Sequence, residues 1–245
     1  MTPPPALNLR GTWRTVATRS YGTRIYRVEG RATLYVKTTP PRRSDDFRFN
    51  PSAEAARLGW LRDKGFPVPE VIEVGSTDEV SWMVMTAVPG VPASEAPDRG
   101  LAVAAVAEFA RSLHSSPPCP FDGSLAVTVD WARRAVSGAL VDLNDLDPEH
   151  EGWTAQQLLD ELVSLPAPPE DLVVCHGDLG LDNVLVDPGT HEVTGVIDVG
   201  RLGMADRWRD LAILLRDAGP DVLAAYGVEV DEVRAHYYWL LDEFF

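Results

Sequence analysis

The sequence predicts an α+β protein of two lobes, β-rich at the start and mostly helical afterwards, and three observations predict it. Short runs rich in Val, Ile, Tyr and Thr fill the first third, amphipathic stretches of helical period fill the remainder, and Val88-Pro89-Gly90-Val91-Pro92 breaks regular structure between them. A first lobe over 1–87 and a second over 88–245 follow from the position of that break, and 245 residues suffice for two modest lobes.

Taken in order, Thr12 to Thr18, Thr23 to Glu29 and Ala32 to Thr38 read as strands. The turns Tyr21-Gly22 and Glu29-Gly30-Arg31 separate them into an antiparallel meander. A basic loop runs from Pro40 to Asn50. Pro51-Ser52-Ala53-Glu54 then opens a helix with an apolar stripe of Ala55, Leu58, Leu61 and Trp60, stopped at Gly65. Val68 to Val74 and Val80 to Ala87 are further strands. Beyond the break, helices are expected at Leu101 to His114, Val129 to Leu140, Thr154 to Leu165, Asp206 to Ala218 and Val230 to Phe244, with a short strand at Leu172 to Cys175. Asn183 to Val186 and Glu192 to Asp198 flank Asp187-Pro188-Gly189-Thr190. Pro fixes φ there and Gly accepts φ > 0, so the segment is a hairpin.

Composition limits the partners. Thirty-seven acids against 22 Lys and Arg give a formal charge of −15, which repels nucleic acid and anionic lipid and attracts cations. No apolar run reaches the ~20 residues that cross a bilayer, and the Pro-rich start lacks a secretory pattern, so the expected compartment is the cytoplasm. Cys119 and Cys175 lack metal-ligand spacing and read as buried free thiols. Nothing in the sequence fixes an oligomeric state.

The chemistry concentrates in His176-Gly177-Asp178-Leu179-Gly180-Leu181-Asp182-Asn183. An Asp followed five positions later by Asn, on a loop after a strand, has the spacing of a kinase catalytic loop. A hydroxyl nucleophile needs a carboxylate to orient it and take its proton, the role of Asp178. Magnesium between phosphates needs hard oxygen ligands; Asn183 supplies one and Asp198, in Ile197-Asp198-Val199-Gly200 at the hairpin's end, supplies another. His176 braces the loop through hydrogen bonds. ATP is clamped from the first lobe by Lys37, at the end of the alternating Leu34-Tyr35-Val36-Lys37, with Glu54 as its helix partner. The turn Ser20-Tyr21-Gly22-Thr23 covers the phosphates with a single glycine. Strand lysine, helix glutamate, hinge, catalytic loop and Asp-x-Gly in that order describe a protein-kinase-like fold.

These residues resemble a known family. Val173 to Asp178, Gly195 to Gly203, Ala205-Asp206-Arg207, Asp210-Leu211-Ala212, Cys119-Pro120-Phe121, Val141-Asp142 through Gly152-Trp153, Thr86 to Gly90 and the terminal Leu240 to Phe245 are similar to the aminoglycoside 3'-phosphotransferases, in particular their actinobacterial branch, over nearly the whole chain. The resemblance implies ATP-dependent phosphorylation of an antibiotic 3'-hydroxyl, and hence antibiotic resistance. The alternative is a 3''-phosphotransferase of streptomycin or a kinase of another amino sugar. It also implies that Tyr35 stacks on adenine and that the backbone near Thr86 and Val88 binds the adenine edge. Asp145, Asp147, Arg201, Arg216, Asp217, Asp242, Glu243 and the carboxylate of Phe245 match substrate-contacting positions. Carboxylates suit a small polycation, and the apolar Tyr237, Leu240 and Leu241 suggest that the tail is docked. Pro148 and Leu181 depart from residues frequent in the family, and the stretch after Asp217 is short, departures that bear on substrate range.

Overall fold

In a computed structural model, which describes residues 7, 9–19, 21–42 and 46–245, the chain forms two compact units. One comprises Met1–Pro89 with Gly195–Gly200, the other Gly90–Thr194 with Arg201–Phe245. The Pro-rich start, Ser20 of the turn expected over the phosphates and residues 43–45 of the basic loop lie outside the described residues.

The first unit is a five-stranded antiparallel sheet and one helix. Its elements are β1 (Thr12–Thr18), β2 (Arg24–Glu29), β3 (Thr33–Thr39), α1 (Pro51–Asp63), β4 (Val71–Ser76) and β5 (Ser81–Thr86), with sheet order β1-β2-β3-β5-β4. Alternation along the strands sends Tyr26, Val28, Val36, Trp82 and Val84 to one face, where they form a core with Leu7. The opposite parity places Tyr35 and Lys37 opposite Met85 and Met83 across the β3–β5 pair. Helix α1 packs against β4 and β5, and its buried stripe is Pro51, Glu54, Leu58 and Leu61. The expected stripe placed Ala55 and Trp60 inward; both are only half-buried. The 3–4 spacing through Leu58 and Leu61 selects position 54 instead, so a glutamate occupies an apolar row.

The second unit holds β6 (Val91–Pro92), α2 (Arg99–His114), α3 (Leu125–Ser137), α4 (Ala155–Ser164), β7 (Leu172–Cys175), β8 (Val184–Val186), β9 (Val193–Val196), β10 (Gly203–Asp206), α5 (Trp208–Ala218), α6 (Asp221–Tyr226) and α7 (Glu232–Asp242). The last residues of β9 run into the segment Gly195–Gly200. Helix α2 packs on α6, and α7 packs on α3, α4 and α5. The turn between β8 and β9 forms because Asp187 Oδ1 accepts the N–H groups of Gly189 and Thr190, each at 2.8 Å. No helix among the described residues is long and apolar enough to cross a membrane.

Four details differ from the sequence expectations. Val91-Pro92, expected as irregular, pairs with Val186 and Leu185; a proline is tolerated there because the strand lies at the edge of the order β6-β8-β9. Helix α3 starts at Leu125 rather than Val129, and Thr128 is accommodated by donating its hydroxyl to Ser124 O at 3.0 Å. Strand β10 pairs antiparallel with β7 across a separation that local pattern does not reveal. Helix α6 forms where only the Gly219-Pro220 break was apparent, capped by Gly227 in the left-handed region at φ 96°.

Leu58 is 1% exposed beneath the sheet. Leu58→Ala is expected to lower the urea midpoint of unfolding, with a loss of about 2–5 kcal/mol read by far-UV circular dichroism.

Candidate active site

In the first unit, three groups expected from sequence meet at one ammonium. Lys37 on β3 is 5% exposed at its side chain, donates to Glu54 Oε1 at 2.8 Å, and also contacts Asp198 Oδ1. The Phe49 ring lies 5.2 Å away. Burial alone would lower the lysine pKa, but the carboxylates of Asp198 and Glu54 override it and raise the pKa, so the ammonium stays charged. Glu54 is placed by the helix start. Asn50 Oδ1 accepts Ala53 N–H at 3.2 Å, Pro51 supplies the first turn, and the carboxylate sits where the helix dipole favours negative charge.

Asp198 arrives from Gly195–Gly200 with its backbone in the left-handed region, φ 58°. Aspartate tolerates that region better than most side chains. Its carboxylate is 33% exposed. Tyr35 lies two residues before Lys37 on the same face and is half-buried. The N–H of Thr86 is taken by Glu70 O at 2.9 Å and its hydroxyl accepts Glu70 N–H. Among the described residues, the backbone of Val88 makes no such bond.

In the second unit, β7 leads into the loop that the sequence marks as catalytic. Gly177 sits at φ 83°, and a Cβ there would lie 2.5 Å from Arg201 O, so only glycine fits. The buried Asp210 of α5 holds the loop: its carboxylate accepts the N–H groups of His176 and Gly177, both at 2.7 Å, and bonds His114 Nε2 at 3.1 Å. His114 in turn bonds the Tyr226 hydroxyl at 2.8 Å. Burial alone would raise the Asp210 pKa; the His114 hydrogen bond and the neighbouring charges outweigh it and hold the carboxyl below its usual range. His176 accepts Asp178 N–H at Nδ1, 3.2 Å, the bracing role expected of it. Asn183 donates its side-chain amide to Asp178 O at 2.8 Å and to Asp178 Oδ2 at 3.3 Å. With the nitrogen so committed, the amide oxygen of Asn183 is the end left for a hard cation.

Around that loop lies a chain of alternating charge. Arg201 Nη1 is 3.8 Å from Asp178 Oδ1 and 3.0 Å from Asp242 Oδ1. Arg216 joins Asp242 Oδ2 at 3.1 Å to Asp147 Oδ2 at 2.8 Å, and these carboxylates raise its pKa even though burial pulls the other way. The tail is docked: Phe244 is buried, its carbonyl accepts Trp131 Nε1–H at 2.8 Å, and the Phe245 ring lies 5.0 Å from Arg201 and 5.2 Å from Arg209. Asp145 stands exposed on the loop.

Two residues expected among direct substrate contacts have other work in this structure. Asp217 Oδ2 accepts Leu181 N–H at 3.0 Å and supports the turn Leu181–Asn183. Glu243, 4% exposed at its side chain, bonds His150 Nδ1 at 2.5 Å and accepts Asp147 N–H at 3.1 Å. The residues that sequence reasoning left without a role are Asp210, His114, His150 and Arg209. Asp210 stood in a recognisable Asp-Leu-Ala run, but its partners are 33 and more positions away and no local pattern announces them.

The chain matches a known family over most of its length. Residues 13–239 match the family described as Phosphotransferase enzyme family. An aminoglycoside 3'-phosphotransferase of Streptomyces fradiae is 46% identical, with 95% of each chain covered. The crystal structure of an aminoglycoside-3'-phosphotransferase of type VIII is 45% identical at a TM-score of 0.86, covering 96% of this chain and 94% of that one. The aminoglycoside phosphotransferase APH(3'')-Id from Streptomyces rimosus, in complex with ADP and streptomycin, is 28% identical at a TM-score of 0.79, over 95% and 92%.

Asp210→Asn keeps the shape but turns an amide nitrogen toward a backbone N–H. It is expected to lower stability by about 1–3 kcal/mol, measured by denaturant unfolding, and to speed amide exchange at His176 and Gly177.

Proposed function

Since the chain belongs to the phosphotransferase enzyme family, among its aminoglycoside 3'-phosphotransferases, we infer that it transfers the γ-phosphoryl group of ATP to the 3'-hydroxyl of an aminoglycoside and thereby inactivates the antibiotic. The observation that carries this reading is the continuity of charge from Asp178 through Arg201 and Asp242 to Arg216 and Asp147. The base that would activate a sugar hydroxyl and the acids that would hold a polycation belong to one ion-pair chain.

The roles follow from chemistry. Asp178, about one-third exposed and fixed by Asn183, orients the hydroxyl and takes its proton as the oxygen–phosphorus bond forms and the bond to the ADP oxygen breaks. The transition state is loose, so alignment and charge offset dominate over base strength. Lys37 uses two of its three donors on Glu54 and Asp198 and has a third for the α- and β-phosphates. Tyr35 offers a face to adenine, and Thr86 with Val88 borders its edge. Asn183 and Asp198 suit Mg²⁺, as hard oxygen donors with the Asn183 nitrogen already committed; the ion offsets phosphate charge when bound. Asp145, Asp147 and Asp242 face the ammonium groups of the antibiotic, with Arg216 setting the spacing of Asp147 and Asp242. Dependence on ATP suits an enzyme of the cytoplasm. Streptomycin is the weaker candidate, because the streptomycin 3''-kinase of Streptomyces griseus and the streptomycin-bound APH(3'')-Id share less of the sequence.

Incubation with kanamycin and ATP is expected to add one phosphate by mass, placed on the 3'-oxygen by NMR. Phosphate found only on streptomycin, at the 3'' position, would replace this assignment. Asp178→Ala is expected to reduce kcat at least about 100-fold while ATP still binds by calorimetry; near-normal turnover would remove Asp178 from the mechanism.

A further inference from the structure

The loop after Val141 carries Asp142, Asp145, Asp147, Glu149 and Glu151, and most of it is exposed or half-buried. His150 is the exception, buried at 4% exposure in the middle of that run. A polar ring is not hidden inside an acidic surface loop without a partner, because burial strips it of water. Its partner is Glu243 of the tail: Nδ1 lies 2.5 Å from Oε1, and both side chains are almost wholly enclosed. The ring's flank meets Trp153 edge-on at 5.1 Å. The backbone on either side is closed by His150 N–H to Asp147 O and Trp153 N–H to His150 O, each at 2.9 Å.

We propose that His150 is a positioning residue for the cationic substrate, holding Glu243 so that the acidic loop and the tail present Asp147 and Asp242 at a fixed spacing. The inference rests on the aminoglycoside-kinase reading above. Two ties join loop to tail. The outer one is Arg216, bonded to Asp147 and Asp242 and about one-third exposed. The inner one is buried: His150 bonds Glu243, and both Glu243 oxygens accept Asp147 N–H, at 3.1 and 3.3 Å. An ammonium that binds Asp147 or Asp242 competes with the guanidinium of Arg216 for the same oxygens. Once that exposed tie is exchanged for substrate, the inner tie is what keeps the two acids in register.

The bond to Glu243 is short and enclosed on both sides, and enclosure from water strengthens a hydrogen bond. Burial leaves the Glu243 pKa raised above its ordinary value, and the His150 bond and the Asp147 N–H offset part of that rise. With an apolar group at 150, Glu243 loses its principal partner and Asp147 loses the anchor of its backbone. The base Asp178 and the phosphate-binding Lys37 take no part in this tie, so their chemistry is a separate readout.

The test compares His150→Leu with His150→Asn in the full-length enzyme. The asparagine amide can place a donor where the ring Nδ1–H stands; leucine cannot. His150→Leu is expected to raise the KM for kanamycin about tenfold while kcat and the KM for ATP stay within about twofold. His150→Asn is expected to recover most of that loss. An unchanged kanamycin KM in the leucine variant would overturn the proposal. So would an equal loss in both variants, or a parallel fall of kcat, ATP affinity and Tm, which assigns His150 to the fold alone. Failure of the underlying reading looks different: the unaltered enzyme would then phosphorylate no aminoglycoside.

Discussion

A buried ammonium must be paired, and much of the first unit is organised to satisfy that of Lys37. The strand β3 carries it, the helix α1 brings Glu54 into a row otherwise apolar, and the segment Gly195–Gly200 brings Asp198 from far along the chain. Removing one member of such a set leaves an uncompensated charge at a cost of about 3–5 kcal/mol, so the three constrain one another. On the proposed reading, the same constraint fixes where the nucleotide phosphates would be met. A lysine held by two carboxylates on one side has its remaining donor aimed by elimination, which is more exact than a flexible lysine at a surface.

Residues whose spacing is dictated by chemistry were legible in the sequence. Asp178, Asn183 and Asp198 stand in the order and spacing of a kinase catalytic loop and its metal-binding signature, and the period-two alternation of Leu34 to Lys37 gave both the strand and the side on which its lysine lies. The supporting contacts were not legible, because they join positions without local signature. Asp210 grips amides 33 and 34 residues before it, and Glu243 finds His150 at a separation of 93. Glu54 misled the stripe assignment for a related reason: hydropathy places a glutamate outward, and only its long-range lysine overrides that. Strand β10 and the two residues of β6 exist because partners elsewhere in the second unit complete their hydrogen bonds.

The net charge of −15 would suggest a cleft lined with bare carboxylates, and the second unit shows something more ordered. Asp178, Asp242 and Asp147 alternate with Arg201 and Arg216, so no two of these acids face each other without a guanidinium between them. Like charges packed without such spacers repel and raise each other's pKa. The arginines set the spacing of the acids in the free protein. Pre-organisation of this kind lowers the ordering cost of binding.

It also changes what affinity measures. A mono-cation gains little by entering a network whose acids already have guanidinium partners, since each new ion pair replaces an old one. A ligand bearing several ammonium groups at fixed distances can satisfy several carboxylates at once while the displaced arginine head, one-third exposed, regains water. Binding then depends on the number and geometry of the ammoniums more than on total charge. On the proposed reading, selectivity would arise because the site offers favourable exchange only to a rigid polycation of matching spacing, with the buried ties behind the acids setting that spacing.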